Sequence, residues 1–433
     1  MPHFIKSIWD KIKDSKEAAN AGWLVAGKIS YMLLAFVLSI LTARFLKPDN
    51  YGLLDYAKAY VTLFTAFCTL GINSVIIKDF VDYPDEIGKT IGTTLFMRAI
   101  SSLLSNMVII MIVSLVDRGE KETIIVTALC SVALVFQIFD IFNYWFQARY
   151  ESKVTAIATF AAYVVASVYQ IIILIVGANV RWFAFATSVD YICLAVFLVA
   201  AYKKHDGPAL SVSLQKGKQL LKSSYHYILS GMMVAIYAQT DRLMLKQMLG
   251  EATVGYYSAA STLNNAWGAV LSAIITAVYP TIIMLHKKSQ SAFERKNRQL
   301  YAIVIYTSLA VAIVLAVFGK FIIKILYGEA YLPAAAPLSI ITWYTAFSYL
   351  GVARDAWIVC EEKQKYLKYI YAAAAAMNIV LNYFMIPKWG ASGAALASLI
   401  TQIATSVVLP GFIKDLRPNV KLMGEALILR GIK

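Results

Sequence analysis

Long apolar stretches are the feature that most constrains what this chain can fold into. Stretches of 20 or more mainly hydrophobic residues recur along its 433 residues and are separated by short charged breaks. A bilayer core about 30 Å thick requires roughly 20 apolar residues per helix at about 1.5 Å of rise per residue. The pattern predicts an all-α integral membrane protein with spans at 21–46, 51–75, 91–116, 123–148, 154–178, 181–202, 223–245, 254–285, 300–318, 333–359, 366–386 and 390–413.

The distribution of basic residues predicts which side of the membrane each loop faces. Because twelve spans is an even number, both termini lie on one side. Of the 40 Lys and Arg residues, 26 lie in the termini and the loops on their side, 9 in the opposite loops and 5 well inside spans. The positive-inside rule therefore places both termini in the cytoplasm. The net charge of +15 then reflects basic loops facing anionic lipid, so nucleic acid is not expected as a partner.

Charge and loop length divide the chain into five parts. Residues 1–20 are expected to form a cytoplasmic amphipathic segment that lies on the inner membrane surface. The longest loop, the basic segment 203–222, is predicted to be a cytoplasmic linker. It separates an N-lobe of helices 1–6 (21–202) from a C-lobe of helices 7–12 (223–413). Residues 414–433 follow as a cytoplasmic C-terminal tail.

A short internal repeat indicates that the two halves are related. The sequence LKPDNYGLLDYAK at 46–58 opens the second helix of the first half, and LGEATVGYYSAAS at 249–261 opens the second helix of the second half. Gly52 then coincides with Gly255 at one constant offset. Parallel six-helix repeats are typical of transporters, in which the substrate binds between the halves near the middle of the membrane.

Four segments carry a resemblance to a known family. The segment RFLKPDNYGLLDYAKAYVTLFTAFCTLGINSVIIKDF at 44–80 resembles the region of helices one and two in the polysaccharide-export (Wzx-type) flippases. Three later segments are similar to other parts of that family, and they are AQTDRLMLKQMLGEATVGYYSAAST at 238–262, ILYGEAYLPAAAPLSII at 325–341 and IPKWGASGAALASLI at 386–400. Together they extend from helix one to helix twelve, so the resemblance covers nearly the whole chain.

The resemblance implies the fold of the multidrug/oligosaccharidyl-lipid/polysaccharide (MOP) exporters, a MATE-like arrangement of two six-helix lobes around a central cavity. It also implies a flippase that moves undecaprenyl-pyrophosphate-linked oligosaccharide repeat units to the outer leaflet by alternating access, for O-antigen, capsule or exopolysaccharide synthesis. The implied partners are this glycan, membrane lipid and a polysaccharide polymerase, with a proton or sodium as the coupling ion. The related lipid II flippases carry two further helices, so twelve spans favour the polysaccharide branch.

Ionisable residues inside spans are costly to bury and are therefore candidate functional groups. Lys28 and Arg98 lie within about ten residues of the cytoplasmic start of their helices. A cation at this depth would offset the loss of hydration of a pyrophosphate that enters the membrane. The alternative is that these side chains extend to the lipid headgroups. Asp55 and Lys58 stand three residues apart and can pair along one helix face. The candidate substrate-binding residues are Lys28, Lys58, Arg98, Arg242 and Arg354, and the candidate ion-coupling residues are Asp140, Asp190 and Asp241.

The sequence contains no pattern for a catalytic site, a metal site or a cofactor. Tyrosines such as Tyr31, Tyr163, Tyr169 and Tyr237 fall well inside spans, where they could face a glycan in a wet cavity or serve packing and interfacial belts. A cation-coupled multidrug exporter of the same fold is one alternative function, with Asp140 or Asp190 exchanging the ion. A membrane-embedded polysaccharide polymerase or glycosyltransferase is another, but such enzymes normally need a larger external loop than this chain has.

Overall fold

The structure, a computed structural model, describes residues 16–432, with side chains from Tyr31 onward except Ser74. The predicted amphipathic segment 1–20 lies largely outside the described residues. Helices make up nearly all of the described chain, and no strand occurs in it. This agrees with the physical constraint that a helix satisfies its backbone hydrogen bonds internally in lipid.

The helices are α1 (Lys16–Cys68), α2 (Asn73–Asp82), α3 (Ile87–Val116), α4 (Lys121–Ser131), α5 (Ala133–Phe136), α6 (Ile141–Ala148), α7 (Ser152–Val176), α8 (Val180–Lys204), α9 (Leu214–Leu249), α10 (Glu251–Lys288), α11 (Gln290–Tyr327), α12 (Ala335–Cys360), α13 (Leu367–Ile403), α14 (Leu409–Phe412) and α15 (Arg417–Leu427). Short 3₁₀ turns precede α3, α6, α12 and α13, and a π-helical turn precedes α14.

Each of the twelve predicted spans coincides with helical structure in the described residues. Eight helical segments are long and apolar enough to cross a membrane by length and composition. Two of them, Tyr31–Cys68 and Gln364–Phe412, each overlap two of the predicted spans, and in each a single residue with non-helical dihedral angles separates the two. Helices α9 and α12, which carry more polar side chains, account for the remaining two spans.

The two interruptions have local causes in the sequence. In α1 the break is at Lys47 (φ 60°, ψ 172°), which is followed by Pro48. Proline has no N–H to donate and disfavours helical geometry in the residue before it. In α13 the break is at Gly390 (φ 56°, ψ −134°), a conformation that only glycine adopts readily.

The chain forms two compact units. Unit 1 consists of the chain up to Leu38 together with Ala57–Ala235, and unit 2 consists of Ser39–Tyr56 together with Ile236–Lys433. These boundaries differ from the limits predicted for the lobes and the linker. The assignment of 21–202 and 223–413 as functional lobes therefore stays a prediction.

Each unit has its own buried apolar core. In unit 1, Trp145 and Phe146 of α6 pack with Ile76 of α2 and Ile91 of α3. In unit 2, a core cluster built on α10, α11 and α12 also takes in Leu422, Met423 and Ala426 of α15. The segment described above as a tail thus contributes a packed helix to its unit.

Candidate functional site

Arg98 is the most deeply buried cation in the described part of unit 1. It lies on α3, eleven residues or about 16 Å along the axis from Ile87, and none of its surface is exposed. Its Nη2 donates a hydrogen bond to Oδ1 of Asn73 on α2. Its Nε and Nη1 have no hydrogen-bond partner among the described residues. Buried donor groups are normally satisfied by protein, water or a ligand. The two free donors of this guanidinium therefore mark a place where a ligand could accept hydrogen bonds.

Asp140 lies close to this arginine. It ends the 3₁₀ turn Gln137–Asp140 and accepts a hydrogen bond from Nδ2 of Asn143 on α6. Its carboxylate interacts electrostatically with Arg98. Unit 1 therefore combines a buried cation that has free donors with an acidic group that can balance its charge when no anion is bound.

Asp190 lies in an aromatic environment in the same unit. Its carboxylate interacts electrostatically with Tyr31, Tyr163 and Tyr191. The rings of Tyr31 and Tyr163 are 4.1 Å apart at their centroids. An acidic group beside several phenol rings can bind a cation or a hydroxyl-rich ligand.

Asp241 is the centre of a buried hydrogen-bond network in unit 2. It lies on α9 with 5% of its surface exposed. Its Oδ1 accepts a hydrogen bond from Nδ2 of Asn382 at 2.7 Å, and its Oδ2 accepts one from Oγ of Ser398 at 2.6 Å. The hydroxyl of Tyr257 on α10 also donates to Oδ2. Nδ2 of Asn382 reaches Oδ1 of Asn378 at 3.1 Å as well.

This network leaves one amide oxygen available for a ligand. Oδ1 of Asn382 is buried and has no partner among the described residues. A carboxylate together with amide and hydroxyl oxygens is a set of ligand atoms that suits a hard cation.

Arg242, which follows Asp241 in the sequence, pairs with a carboxylate on another helix. Nε of Arg242 lies 3.3 Å from Oδ2 of Asp55, and its guanidinium carbon lies 5.8 Å from the centre of the Tyr257 ring. The possible pair of Asp55 with Lys58 does not form, because the carboxylate is directed to a helix far away in sequence. Lys58 is half-buried and makes no ion pair with any described residue.

The two remaining candidate cations are Arg354 and Lys28. Arg354 on α12 is 2% exposed, and its Nη1 donates to the carbonyl oxygen of Thr405 at 2.9 Å while its Nε has no described partner. The side chain of Lys28 lies outside the described residues. The structure thus brings Arg98 and Asp140 together in unit 1, and it pairs Arg242 with Asp55 in unit 2.

Several polar residues of these sites were missed in the sequence. Asn73 lies at a span end, where polar residues are common, and Asn382 and Ser398 are uncharged residues inside apolar stretches, so a search for ionisable groups does not find them. A search for amide and hydroxyl residues within spans would have found Asn378, Asn382 and Ser398. It could not have shown that they meet Asp241.

Comparisons with known proteins agree with this architecture. The family described as "Polysaccharide biosynthesis protein" matches residues 18–286. The capsular polysaccharide biosynthesis protein CapF of Staphylococcus aureus is 21% identical over 90% of this chain and 97% of its own length. A protein named as an O-antigen transporter in Escherichia coli (strain K12) is 20% identical over 92% of this chain and 96% of its own length.

Among solved structures, the lipid II flippase MurJ in an inward closed conformation superimposes with a TM-score of 0.72 at 14% identity, covering 94% of this chain and 91% of MurJ. This likeness shows a shared fold, and an inward-facing multidrug resistance MATE family transporter of the MOP superfamily shares it as well, with a TM-score of 0.67 at 15% identity, covering 91% of this chain and 96% of that transporter. The fold class expected from the spans is therefore confirmed, as is the resemblance to the Wzx-type flippases. The chain belongs to the polysaccharide biosynthesis protein family and is a multi-pass membrane protein of the MOP fold.

Proposed function

We propose that this protein is a flippase for undecaprenyl-pyrophosphate-linked oligosaccharides. It moves repeat units from the inner to the outer leaflet of the cytoplasmic membrane by alternating access, with both termini in the cytoplasm, and supplies O-antigen, capsule or exopolysaccharide synthesis. The family match and the fold shared with a flippase support transport of a lipid-linked polysaccharide precursor. A polysaccharide polymerase is the proposed recipient of the translocated unit.

The observation that carries this proposal is the incomplete hydrogen bonding of Arg98. A pyrophosphate entering the membrane loses hydration, and a guanidinium with two free donor atoms can replace part of it through charge-assisted bonds. Asn73 fixes one edge of the guanidinium, so the free Nε and Nη1 are held in place for the phosphate oxygens. Asp140 balances the charge while the site is empty of substrate.

The other cations are proposed to contribute less. Arg242 is already paired with Asp55, so its charge is largely balanced within unit 2. Arg354 donates to a backbone carbonyl and retains one free donor atom. Lys28 and Lys58 remain proposed substrate ligands on the strength of their positions in the sequence.

Asp241 is the proposed coupling residue, with Asp140 and Asp190 as further candidates. The network with Asn382 and Ser398 joins two helices through one carboxylate, so occupation by a proton or a sodium ion would alter the contacts between them. Such a change in contacts is what alternating access requires from a coupling ion.

The test of the substrate site is complementation of a flippase-null strain, with surface polysaccharide and membrane protein level measured together. Arg98→Ala should reduce polymer at normal expression, because losing hydrogen bonds to a charged group lowers affinity by about ten-fold to a hundred-fold. Arg98→Lys should restore only part of the polymer, since it keeps the charge and loses the fork. Arg118→Ala, at an exposed loop arginine, is the matched control. Wild-type polymer from Arg98→Ala would refute the role of this residue.

A second candidate function rests on Asp190. A carboxylate beside Tyr31 and Tyr163 would also suit an organic cation, as in a cation-coupled multidrug exporter. Ethidium efflux from cells that express the protein tests this candidate. Efflux that is lost in Asp190→Asn, together with normal polysaccharide, would favour the exporter over the flippase.

A further inference from the structure

A polar groove of about 760 Å³ opens in unit 1 beside the first turns of α3 and α9. It is lined by the end of α2, the 3₁₀ turn Pro84–Glu86 and the residues from Ser213 to Tyr227. None of the candidate residues discussed above lies in it. In the proposed orientation this groove faces the cytoplasm.

The groove has a fixed wall because part of the linker is attached to α3. The backbone N–H of Ser211 donates to the carbonyl oxygen of Gly88 at 3.3 Å, and that of Ser213 donates to Oγ1 of Thr93 at 3.0 Å. A Cβ atom at Gly92 would lie 2.3 Å from the carbonyl oxygen of Ser211, so the close approach depends on glycine there. The linker therefore forms part of a built surface in this unit.

The charges of the groove balance each other. Lys216 is 4% exposed, and its Nζ lies 2.9 Å from Oδ1 of Asp79 and 3.2 Å from Oε2 of Glu86. Glu86 also pairs with Lys89 at 2.8 Å. The lining contains three lysines and three acidic residues, namely Lys78, Lys89, Lys216, Asp79, Asp82 and Glu86. This balance disfavours a phosphate as the main ligand and favours a neutral polar one.

Uncharged hydrogen-bonding groups follow one row of α9 along the groove. Gln215, Gln219, Ser223 and Tyr227 stand four residues apart, are all exposed, and make no side-chain hydrogen bond with any described residue. Residues at this spacing lie on one helix face, and the row extends about 18 Å. Tyr83, which is 55% exposed, adds a second phenol ring to the lining, and Nζ of Lys216 lies 4.5 Å from the centre of that ring.

We propose that this groove binds the sugar portion of the lipid-linked substrate before translocation. Sugars present hydroxyl groups that pair with amides and carboxylates, and ring faces that pack on tyrosine. The length of the row suits several linked sugars rather than one. This inference rests on the proposed flippase function, and it assigns glycan recognition to the groove and pyrophosphate recognition to Arg98.

The test uses the full-length protein in nanodiscs and two separate probes. One is the oligosaccharide repeat unit released from the strain's own polysaccharide, and the other is undecaprenyl pyrophosphate without sugar. The double variant Gln219→Ala/Tyr227→Ala should weaken oligosaccharide binding by about ten-fold or more and leave undecaprenyl pyrophosphate binding unchanged. Arg98→Ala should show the opposite pattern. Tyr225→Ala is the matched control, because Tyr225 is on the same helix, is exposed to a similar extent and does not line the groove.

The outcomes separate this inference from the function on which it rests. Oligosaccharide binding that the double variant leaves intact, with pyrophosphate binding still dependent on Arg98, would overturn the groove alone. Wild-type protein that binds neither probe would overturn the proposed function as well. Loss of binding to phosphatidylglycerol vesicles in the double variant, with oligosaccharide binding unchanged, would identify a lipid headgroup as the ligand and refute the glycan assignment.

Discussion

Gly52 and Gly255 pack against each other's helices in a reciprocal arrangement within unit 2. A Cβ atom on Gly52 would lie 1.8 Å from the carbonyl oxygen of Glu251, and one on Gly255 would lie 2.2 Å from that of Pro48. Each glycine therefore faces the carbonyl four residues before the other. These are the two glycines that the internal repeat aligns, so the repeat corresponds to a pair of helix starts in direct contact.

This contact predicts that neither glycine tolerates a methyl group. Gly52→Ala or Gly255→Ala should each lower the free energy of unfolding by about 1 to 3 kcal/mol, because backbone rather than a flexible side chain must move. Gly424→Ala on α15 is the control, since a Cβ there meets nothing within 4 Å. Thermal unfolding of purified protein in detergent measures the effect. A Gly52→Ala variant as stable as the control would contradict the packing.

Lys47 has the same backbone conformation as Gly250, its counterpart in the repeat. Their dihedral angles are φ 60°, ψ 172° and φ 88°, ψ 178°, a region that essentially only glycine occupies without strain. Lys47→Gly should therefore raise the free energy of unfolding by about 1 kcal/mol. Gly250→Ala should lower it, and the two thermal midpoints should move in opposite directions.

The C-terminal helix α15 should be required for stability. Leu422 is 5% exposed, and Nδ2 of Asn419 donates to the hydroxyl of Tyr301 at 2.6 Å. Leu422→Ala should cost about 2 to 5 kcal/mol, the usual range for a buried leucine. Leu427→Ala, at a position 56% exposed, should cost little by the same thermal assay. Equal midpoints for the two variants would show that α15 is not part of the core.

The ion pairs of Glu86 predict that the stability of the fold depends on pH. Hydrogen bonds from Lys89 and then Lys216 hold the pKa of this carboxyl below its ordinary value. A lowered folded-state pKa stabilises the fold above the unfolded pKa of about 4.3, and that stabilisation is lost as pH falls through the folded value. Wild type should thus have a higher thermal midpoint than Glu86→Gln at pH 6, and this difference should disappear below about pH 4.3. A gap that widens in acid would refute this ion pairing.

The proposed coupling role of Asp241 predicts a loss of ion dependence. Asp241→Asn keeps the shape and removes the charge, so transport should fall and no longer respond to a proton or sodium gradient. Flipping in proteoliposomes with each gradient imposed separately would measure this. Ser398→Ala, which removes one hydrogen bond to the carboxylate, should weaken the ion response without abolishing it. An unchanged gradient response in Asp241→Asn would place the coupling elsewhere, at Asp140 or Asp190.

The sequence by itself determined the membrane-spanning helical class and the number of spans. These properties are local: apolar length must match the bilayer, and the backbone must satisfy its own hydrogen bonds within each helix. The motif around Gly52 and Gly255 was likewise readable, because the same close contact between helices needs a residue without a Cβ atom in both halves.

Only the tertiary structure decided which buried charges meet. Asp55 had a possible partner three residues away, yet it pairs with Arg242 at a separation of 187 residues. Asp241 takes a hydrogen bond from Ser398, 157 residues later, and Arg98 is held by Asn73 on a neighbouring helix. Spacing within one helix defines only the face on which a side chain lies. The partner on that face depends on how helices distant in sequence pack, and single-sequence patterns carry no information about that packing.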